Sequence, residues 1–430
     1  MKYKKIIICS SGRINLNDTS NNSLLFRNLL KNWPKDRIAQ IFNSGSNGDP
    51  GFFTNYYQYS ENDRHWGKYY SIISKKDTTH FNTDNKPIKR KASLYPFFRK
   101  LLIDTGWYEL VFRPKLSCEL KKWLNDFKPE LILIQGYSLT YTKFPLLIKK
   151  YTNAKLVFFT TDDWPKYLYN GSMRKFRLLS LLPRIMVNRV VKKLIRETDI
   201  PIAFGYPMQE EYNKRYGKSF YSIIHCDSPV RFENATPKRL YDESILEIIT
   251  IGTFNKQRCP MISDVNECCR QLDKEGIKAK LAIISNCIEP EYRKIINNMQ
   301  YVNIYNDPGH EELPSLLKGA DILLLIESFD NDTSESIRLS ISTKAHLFMF
   351  SQKPIIVYSN PITGIANYAK KYQWAITINT RDSIKLKNII YELALNIELR
   401  EKLIQRANKI AFKFHDINKV QKEFISILNN

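Results

Sequence analysis

Short apolar runs rich in Ile, Leu and Val recur from one end of the chain to the other: KKIIIC, RIAQIF, LILIQ, KLVFFT, IPIAF, SIIH, EIITIG, KLAIIS, VNIY, DILLLIE, PIIVYS and AITIN. They are continuous rather than alternating, which marks strands covered on both faces, the condition met inside parallel sheets. Parallel strands need long crossover connections, and the intervening segments supply helices. In LSCELKKWLNDF, residues 116 to 127, Leu116, Leu120, Trp123, Leu124 and Phe127 share one helical face, and Pro129 then breaks the pattern ahead of LILIQ. Strand and helix in alternation predict an α/β fold built of βαβ units in doubly wound sheets.

The alternation continues on both sides of residues 226 to 245, CDSPVRFENATPKRLYDESI, which are polar, contain Pro229 and Pro237 and show no periodicity. At 430 residues the chain also exceeds the size at which one core keeps growing. The expected organisation is two Rossmann-like domains facing a central cleft, residues 1–225 and 241–410, with a linker at 226–240. Residues 43 to 98 are irregular and aromatic-rich, and long loops are expected there.

Charge limits the partners. The chain has 66 Lys plus Arg against 43 Asp plus Glu, a net +23, which favours nucleic acid, phosphorylated ligands or an anionic membrane surface. No nucleic-acid recognition motif accompanies the charge, so nucleic acid is not an expected partner. A hydrophobic content of 43% excludes a disordered chain. Seven cysteines (9, 118, 226, 259, 268, 269, 287) form no CxxC pair, a usage that suits a reducing compartment. The apolar run after MKYKK is too short for a signal peptide, and no run approaches the roughly 18 residues of a membrane span, so a cytoplasmic location is expected.

In a doubly wound domain, ligands sit beyond the carboxyl ends of the strands, where helix N-termini present free N–H groups to anions. Ser340 to Lys344, in SISTKAHLFMFSQKPIIVYSNP, follows DILLLIE and opens the helical pattern AHLFMF. The hydroxyls of Ser340, Ser342 and Thr343 can cap that helix or donate to phosphate, and Lys344 adds a full charge, a set suited to a diphosphate. Asp162 and Asp163, in TTDDWPKYLY, close a strand, where either can orient an acceptor hydroxyl, act as general base, or cap the next helix. There is no G-x-G-x-x-G, so no dinucleotide cofactor is expected. His225, Cys226 and Asp227 are consecutive near a strand end and point to alternate faces, so no metal site is expected there. His310, in PGHEELPSLL, reads as a helix-start residue. Residues 172 to 196, SMRKFRLLSLLPRIMVNRVVKKLIR, mix apolar positions with Arg174, Lys175, Arg177, Arg184, Arg189, Lys192, Lys193 and Arg196, as does a helix lying on an anionic membrane or a packed helix pair with a solvated basic face.

The segment DILLLIESF…RLSISTKAHLFMFSQKPIIVYSNP resembles the donor-nucleotide region of GT-B glycosyltransferases, in particular bacterial members of glycosyltransferase family 4. GTFNKQR, TTDDWPKYLY and IAFGYPMQEEYNKRYGKSFYSIIHCDSP fall in that family's order, so the similarity covers about residues 116 to 410 and, weakly, the SSGR turn. The resemblance implies a GT-B fold whose C-terminal helix, residues 411–430, returns to the first domain. It implies a retaining transferase that uses a nucleoside diphosphate sugar as donor and a cell-envelope saccharide, in many relatives lipid-linked, as acceptor, with no further cofactor and no metal. Donor contacts are then expected from Gly12, Arg13, Gly252, Thr253, Arg258, Ser340, Ser342, Thr343 and Lys344, and catalytic roles from Asp162, Asp163, Arg258 and Lys344. The family's pair of glutamates would fall at Leu339 and Leu347, so both carboxylates are missing there. Glu327 and Glu335 have the pair's mutual spacing, but the turn that should follow Glu335 is displaced, and the match reads as coincidence. The missing pair keeps a non-catalytic sugar- or polyanion-binding protein open as an alternative, with a nucleotide-sugar epimerase behind it.

Overall fold

The computed structural model describes residues 3–16, 21–43, 51–69, 95–135, 137–167 and 178–430. Seven strands form the first sheet: β1 (Ile6–Ser10), β2 (Ile38–Phe42), β3 (Asn55–Gln58), β4 (Leu131–Gln135), β5 (Lys155–Thr160), β6 (Ile200–Phe204) and β7 (Tyr221–Ile223). Six form the second: β8 (Leu246–Ile251), β9 (Ala279–Ile284), β10 (Val302–Tyr305), β11 (Ile322–Ile326), β12 (Ile355–Tyr358) and β13 (Ile376–Ile378). Both are parallel throughout. Every residue of β1, β4 and β11 is buried, as two-sided coverage by helices requires.

The strand orders are β3-β2-β1-β4-β5-β6-β7 and β10-β9-β8-β11-β12-β13. Each sheet starts in its middle, runs out to one side, then crosses back, so the direction of winding reverses between β1 and β4 and again between β8 and β11. Loops leaving the carboxyl ends of such a strand pair diverge to opposite faces and leave a crevice, the usual ligand position of these sheets.

The helices that matter for the site are α1 (Asn21–Leu30), α2 (Cys118–Phe127), α3 (Leu139–Thr152), α4 (Leu181–Glu197), α5 (Gly205–Tyr216), α6 (Cys259–Lys274), α7 (Ala345–Phe350), α8 (Ile397–Phe414) and α9 (Ile417–Asn429). Helix α2 shows how local chemistry sets the boundaries. Ser117 caps its first turn through Leu120 N–H, Lys128 closes it in a left-handed conformation, and Leu120, Leu124 and Phe127 are buried. At the end of the chain, α9 buries Val420, Phe424, Ile425 and Leu428 and packs against α1 and β7. Lys4 Nζ donates to the carbonyl of Leu428 at 2.9 Å, so this helix rests on the first domain.

The crossover segment is packed rather than free. It contains a helical turn, Pro229–Glu233, whose Phe232 is buried 5.5 Å from Phe350 of α7. Asp227 exchanges backbone hydrogen bonds with the start of α9, its N–H to His415 O at 3.0 Å and its O from Ile417 N–H at 3.0 Å. Ion pairs bridge the two domains directly, Lys166–Glu335 at 2.7 Å and Arg338–Glu211 at 3.2 Å. Cys9, Cys226, Cys259, Cys268 and Cys269 are buried and unpaired, packed as small apolar side chains. Among the described residues no helix is long and apolar enough to cross a membrane.

Candidate functional site

A cavity of about 830 Å³ lies between the two sheets, and its walls are the carboxyl ends of strands from both. The first domain contributes Thr161 and Asp162 after β5 and Phe204 at the end of β6; the second contributes Gly252 and Thr253 after β8, Ser285 after β9 and Glu327 after β11. Ser340, Ser342, Thr343 and Lys344 enter from the turn that opens α7. The β8/β11 winding reversal is therefore inside the cavity wall, where the fold places a ligand.

Lys344 lies over that reversal. Its ammonium packs on Gly252, whose φ of +121° suits only glycine and where an added Cβ would lie 2.4 Å from both Lys344 Nζ and Cε. The absence of a side chain at Gly252 is what lets the lysine lie across the strand ends. Among the described residues Lys344 Nζ has no hydrogen-bond or ion-pair partner. Burial first, and the guanidinium of Arg258 second, bring its pKa down to about 8, with Glu327 acting in the other direction.

Arg258, on the loop before α6, is fixed by Glu327. Its Nε and Nη2 donate to Glu327 Oε2 at 3.0 and 2.5 Å, and its Nη1 donates to Thr253 O at 3.1 Å. Glu327 is 5% exposed. Two cations and one carboxylate leave an excess positive charge at the focus of the crevice, beside the N–H groups of Ser342 and Thr343, which make no hydrogen bond among the described residues. That arrangement is complementary to an anion with several acceptor oxygens.

The two aspartates after β5 separate. Asp162 opens onto the cavity, and desolvation there holds its carboxyl above the ordinary range, while hydrogen bonds from Tyr137, Ser340 and Thr161 act against the rise. Asp163 turns into the domain, 4% exposed, and is gripped bidentately by Arg215 of α5 at 2.5 and 2.9 Å and by Tyr212 Oη at 3.2 Å. Its carboxylate anchors α5 and takes no part in the cavity.

Gly252, Thr253, Arg258, Ser340, Ser342, Thr343 and Lys344 are thus brought together; Gly12 and Arg13 are not. The carbonyl of Gly12 accepts from Ser10 Oγ and Gln40 Nε2, and the Arg13 guanidinium stacks 4.3 Å from the Tyr56 ring centroid, away from the cavity wall. Of the glutamates with family-like spacing, Glu327 lines the cavity, whereas Glu335 is spent on Lys166 and Arg338 at the domain boundary. Leu339 is buried, and Leu347 is part of the cavity wall.

The far end of the cavity holds what the sequence did not suggest. His225, His346 and His415 stack in sequence, with ring centroids 5.9 and 5.8 Å apart, all buried. His415 is set between Tyr368 Oη at 2.9 Å and His225 O at 2.6 Å. Asp227 pairs with Arg231 and lies 4.0 Å from His346 Nε2. Burial lowers all three histidines, His225 to about 3, His415 to about 4 and His346 well below its ordinary value. Each of the three lies close to a charged residue in the sequence, His225 near Asp227, His346 near Lys344 and His415 beside Asp416, so no local pattern marks the stack. Among the described residues no group of three or more His, Cys, Asp or Glu is placed to hold a metal ion.

No family model matches the chain, and no curated protein matches it by sequence. Solved structures do match over its full length. HepE from Anabaena, solved with UDP and glucose, superposes with a TM-score of 0.60 at 11% identity over 100% of each chain. Sucrose-phosphate synthase from Thermosynechococcus elongatus gives 0.59 at 12% identity over 99% of this chain and 98% of that one. A trehalose-6-phosphate protein from E. coli bound with UDP-2-fluoro glucose gives 0.57 at 14% identity over 98% of each. Two parallel doubly wound domains closed on a shared cleft, matched end to end by these structures, establish that this chain has the GT-B fold.

Proposed function

We propose that the chain is a glycosyltransferase that moves a sugar from a nucleoside diphosphate sugar to a saccharide of the cell envelope, with retention of anomeric configuration. The observation that carries the reading is the cation pair at the β8/β11 reversal, Lys344 with no hydrogen-bond or ion-pair partner among the described residues and Arg258 pinned by Glu327. As the bond from the sugar to the diphosphate breaks, negative charge grows on the departing oxygen. Lys344, Arg258 and the N–H groups of Ser342 and Thr343 are already aimed at that position, so no reorganisation is needed as the charge develops. These cations supply the positive charge, and the proposed mechanism uses no divalent metal. The UDP complexes of HepE favour a uridine diphosphate donor. Asp162, on the opposite wall, is suited to orient the acceptor hydroxyl.

The acceptor in this reading is lipid-linked and is met at the inner face of the plasma membrane. Helix α4 supports this, with Leu181 54% and Leu182 48% exposed beside Arg184 and Arg189. Residues 172–177 of the basic stretch lie outside the described residues.

The test is release of UDP from UDP-sugars in the presence of envelope saccharides, with the anomeric configuration of the product read by NMR. A retained product is expected, and an inverted one contradicts the retaining half. Leu347 on the cavity wall favours a second reading, a binding protein without turnover, which predicts UDP binding and no release.

A further inference from the structure

A second cavity, about 420 Å³, opens on the outer face of the first domain between α3 and α4 and shares no residue with the cleft. Its floor is apolar, formed by Leu146, Leu147 and Val190, and its rim carries Arg113, Lys143 and Lys193. Among the described residues the Arg113 and Lys143 side chains have no hydrogen-bond or ion-pair partner. The acids nearby are engaged: Glu109 Oε2 accepts from Thr140 N–H at 3.2 Å, and Glu197 pairs with Lys193 at 3.7 Å. Lys143 is half-buried, and burial together with the Arg113 charge pushes its pKa down, with Glu109 opposing. Two like charges held together over an apolar floor are unfavourable until an anion joins them.

We propose that this pocket binds the phosphate of an anionic membrane lipid headgroup and so seats the first domain on the bilayer. Arg113 contributes a planar fork and Lys143 a point charge, the combination that suits phosphate oxygens. A lipid is indicated over a soluble phosphate by what surrounds the pair. Leu182, Ile185, Arg189 and Lys193 recur at helical spacing on one exposed face of α4, apolar at one end and basic where it reaches the pocket. Leu178, just before the helix, is 87% exposed, and Trp66 on the rim is 67% exposed. Trp66 is held at φ +58°, unfavourable for a bulky residue, in a turn pinned to the 113–115 segment by His65 N–H to Arg113 O at 2.9 Å and Lys115 N–H to Asp63 O at 2.8 Å. The rim is therefore built, and it presents an indole of the kind favoured at membrane interfaces. This deepens the membrane half of the proposed function and is independent of its donor half.

The experiment is co-sedimentation with phosphatidylcholine vesicles, alone and with one third phosphatidylglycerol. Arg113→Gln/Lys143→Gln is compared with Lys274→Gln/Lys278→Gln, an equal loss of charge at exposed positions of the second domain. The pocket variant should lose on the order of 10- to 30-fold in partition to the anionic vesicles and the control less than about twofold. Thermal protection by UDP should be the same in both, so a failure of the donor reading shows separately. Equal losses in the two variants, or no partition of the parent protein, would overturn the proposal. Glycerol phosphate binding that depends on Arg113 and Lys143 without vesicle partition would assign the pocket to a soluble ester and overturn it as well. Should the double variant lose its cooperative melt, Arg113→Gln alone, at an exposed side chain, carries the same comparison.

Discussion

Lys344→Met keeps most of the side-chain volume and removes the charge. If the ammonium makes a charge-assisted contact to a diphosphate, its loss should cost about 1.5 to 3 kcal/mol, on the order of 10- to 150-fold in UDP affinity by calorimetry. The pKa of about 8 adds a sharper test. The lysine is mostly protonated at pH 7 and about one-tenth protonated at pH 9, so UDP affinity of the parent protein should fall about tenfold across that interval. The Met variant should bind weakly at both values. Stability runs the opposite way. The folded value lies below the ordinary lysine value of 10.5, so the unfolded chain holds the proton more tightly and the unliganded protein should gain stability as pH rises from about 8 towards 10.5. Lys344→Met should capture that gain at neutral pH, about 1 to 3 kcal/mol, while losing the ligand. A change in affinity below twofold, or the same pH slope in the Met variant as in the parent, would show that the Lys344 ammonium does not hold the diphosphate.

Gly252→Ala should displace the ammonium, since its Cβ would meet Lys344 at 2.4 Å, whereas Gly217→Ala, with nothing within 4 Å, should cost about 1 kcal/mol of backbone strain and leave UDP binding unchanged. The stacked histidines predict acid sensitivity. Their folded pKa values lie below 6.5, so stability present at neutral pH should be lost as pH falls from 6.5 towards about 4, read as a steep drop in melting temperature, and a flat profile over that range would count against the buried neutral stack. Arg215→Met should destabilise by about 3 kcal/mol in a denaturant melt because it removes the bidentate partner of the buried Asp163 carboxylate and leaves it Tyr212 Oη at 3.2 Å and Arg338 at 4.0 Å. Asp162→Asn should stay within about 0.5 kcal/mol of the parent while lowering transfer, and an equal effect of the two on stability would undo the separation of roles.

Much of the fold was legible because parallel strands announce themselves locally. Each apolar run named in the sequence became a strand, from Ile6–Ser10 to Ile376–Ile378. Strand β3 carries no such run: it reads NYYQ and lies half-buried at a sheet edge, where polar and aromatic side chains suffice. The rest of the expected aromatic loop region between residues 43 and 98 lies largely outside the described residues.

The site was legible only where its residues are neighbours in the chain. Ser340 to Lys344 could be read from one segment. Glu327 could not, because its partner Arg258 is 69 residues away, and a carboxylate closing DILLLIE looks like any polar strand end until the guanidinium is placed beside it. The aspartate pair was ambiguous for the same reason: Arg215, 52 residues on, selects Asp163 and leaves Asp162 to the cleft. The histidine stack draws on three distant segments, and nothing local to any of them foretells the others.

Whether the cation pair holds a nucleoside diphosphate is read from thermal protection of the parent protein by UDP, GDP, ADP, CMP and dTDP, each far above any plausible dissociation constant. A ligand at 100 times its dissociation constant adds about 2.7 kcal/mol, enough to raise the midpoint of a roughly 200-residue domain by several degrees. One nucleoside diphosphate, with UDP first in line, should raise the midpoint, and Lys344→Met should abolish the rise. No shift from any of the five would contradict the donor reading, because a cation pair that leaves every diphosphate unbound is not a donor site.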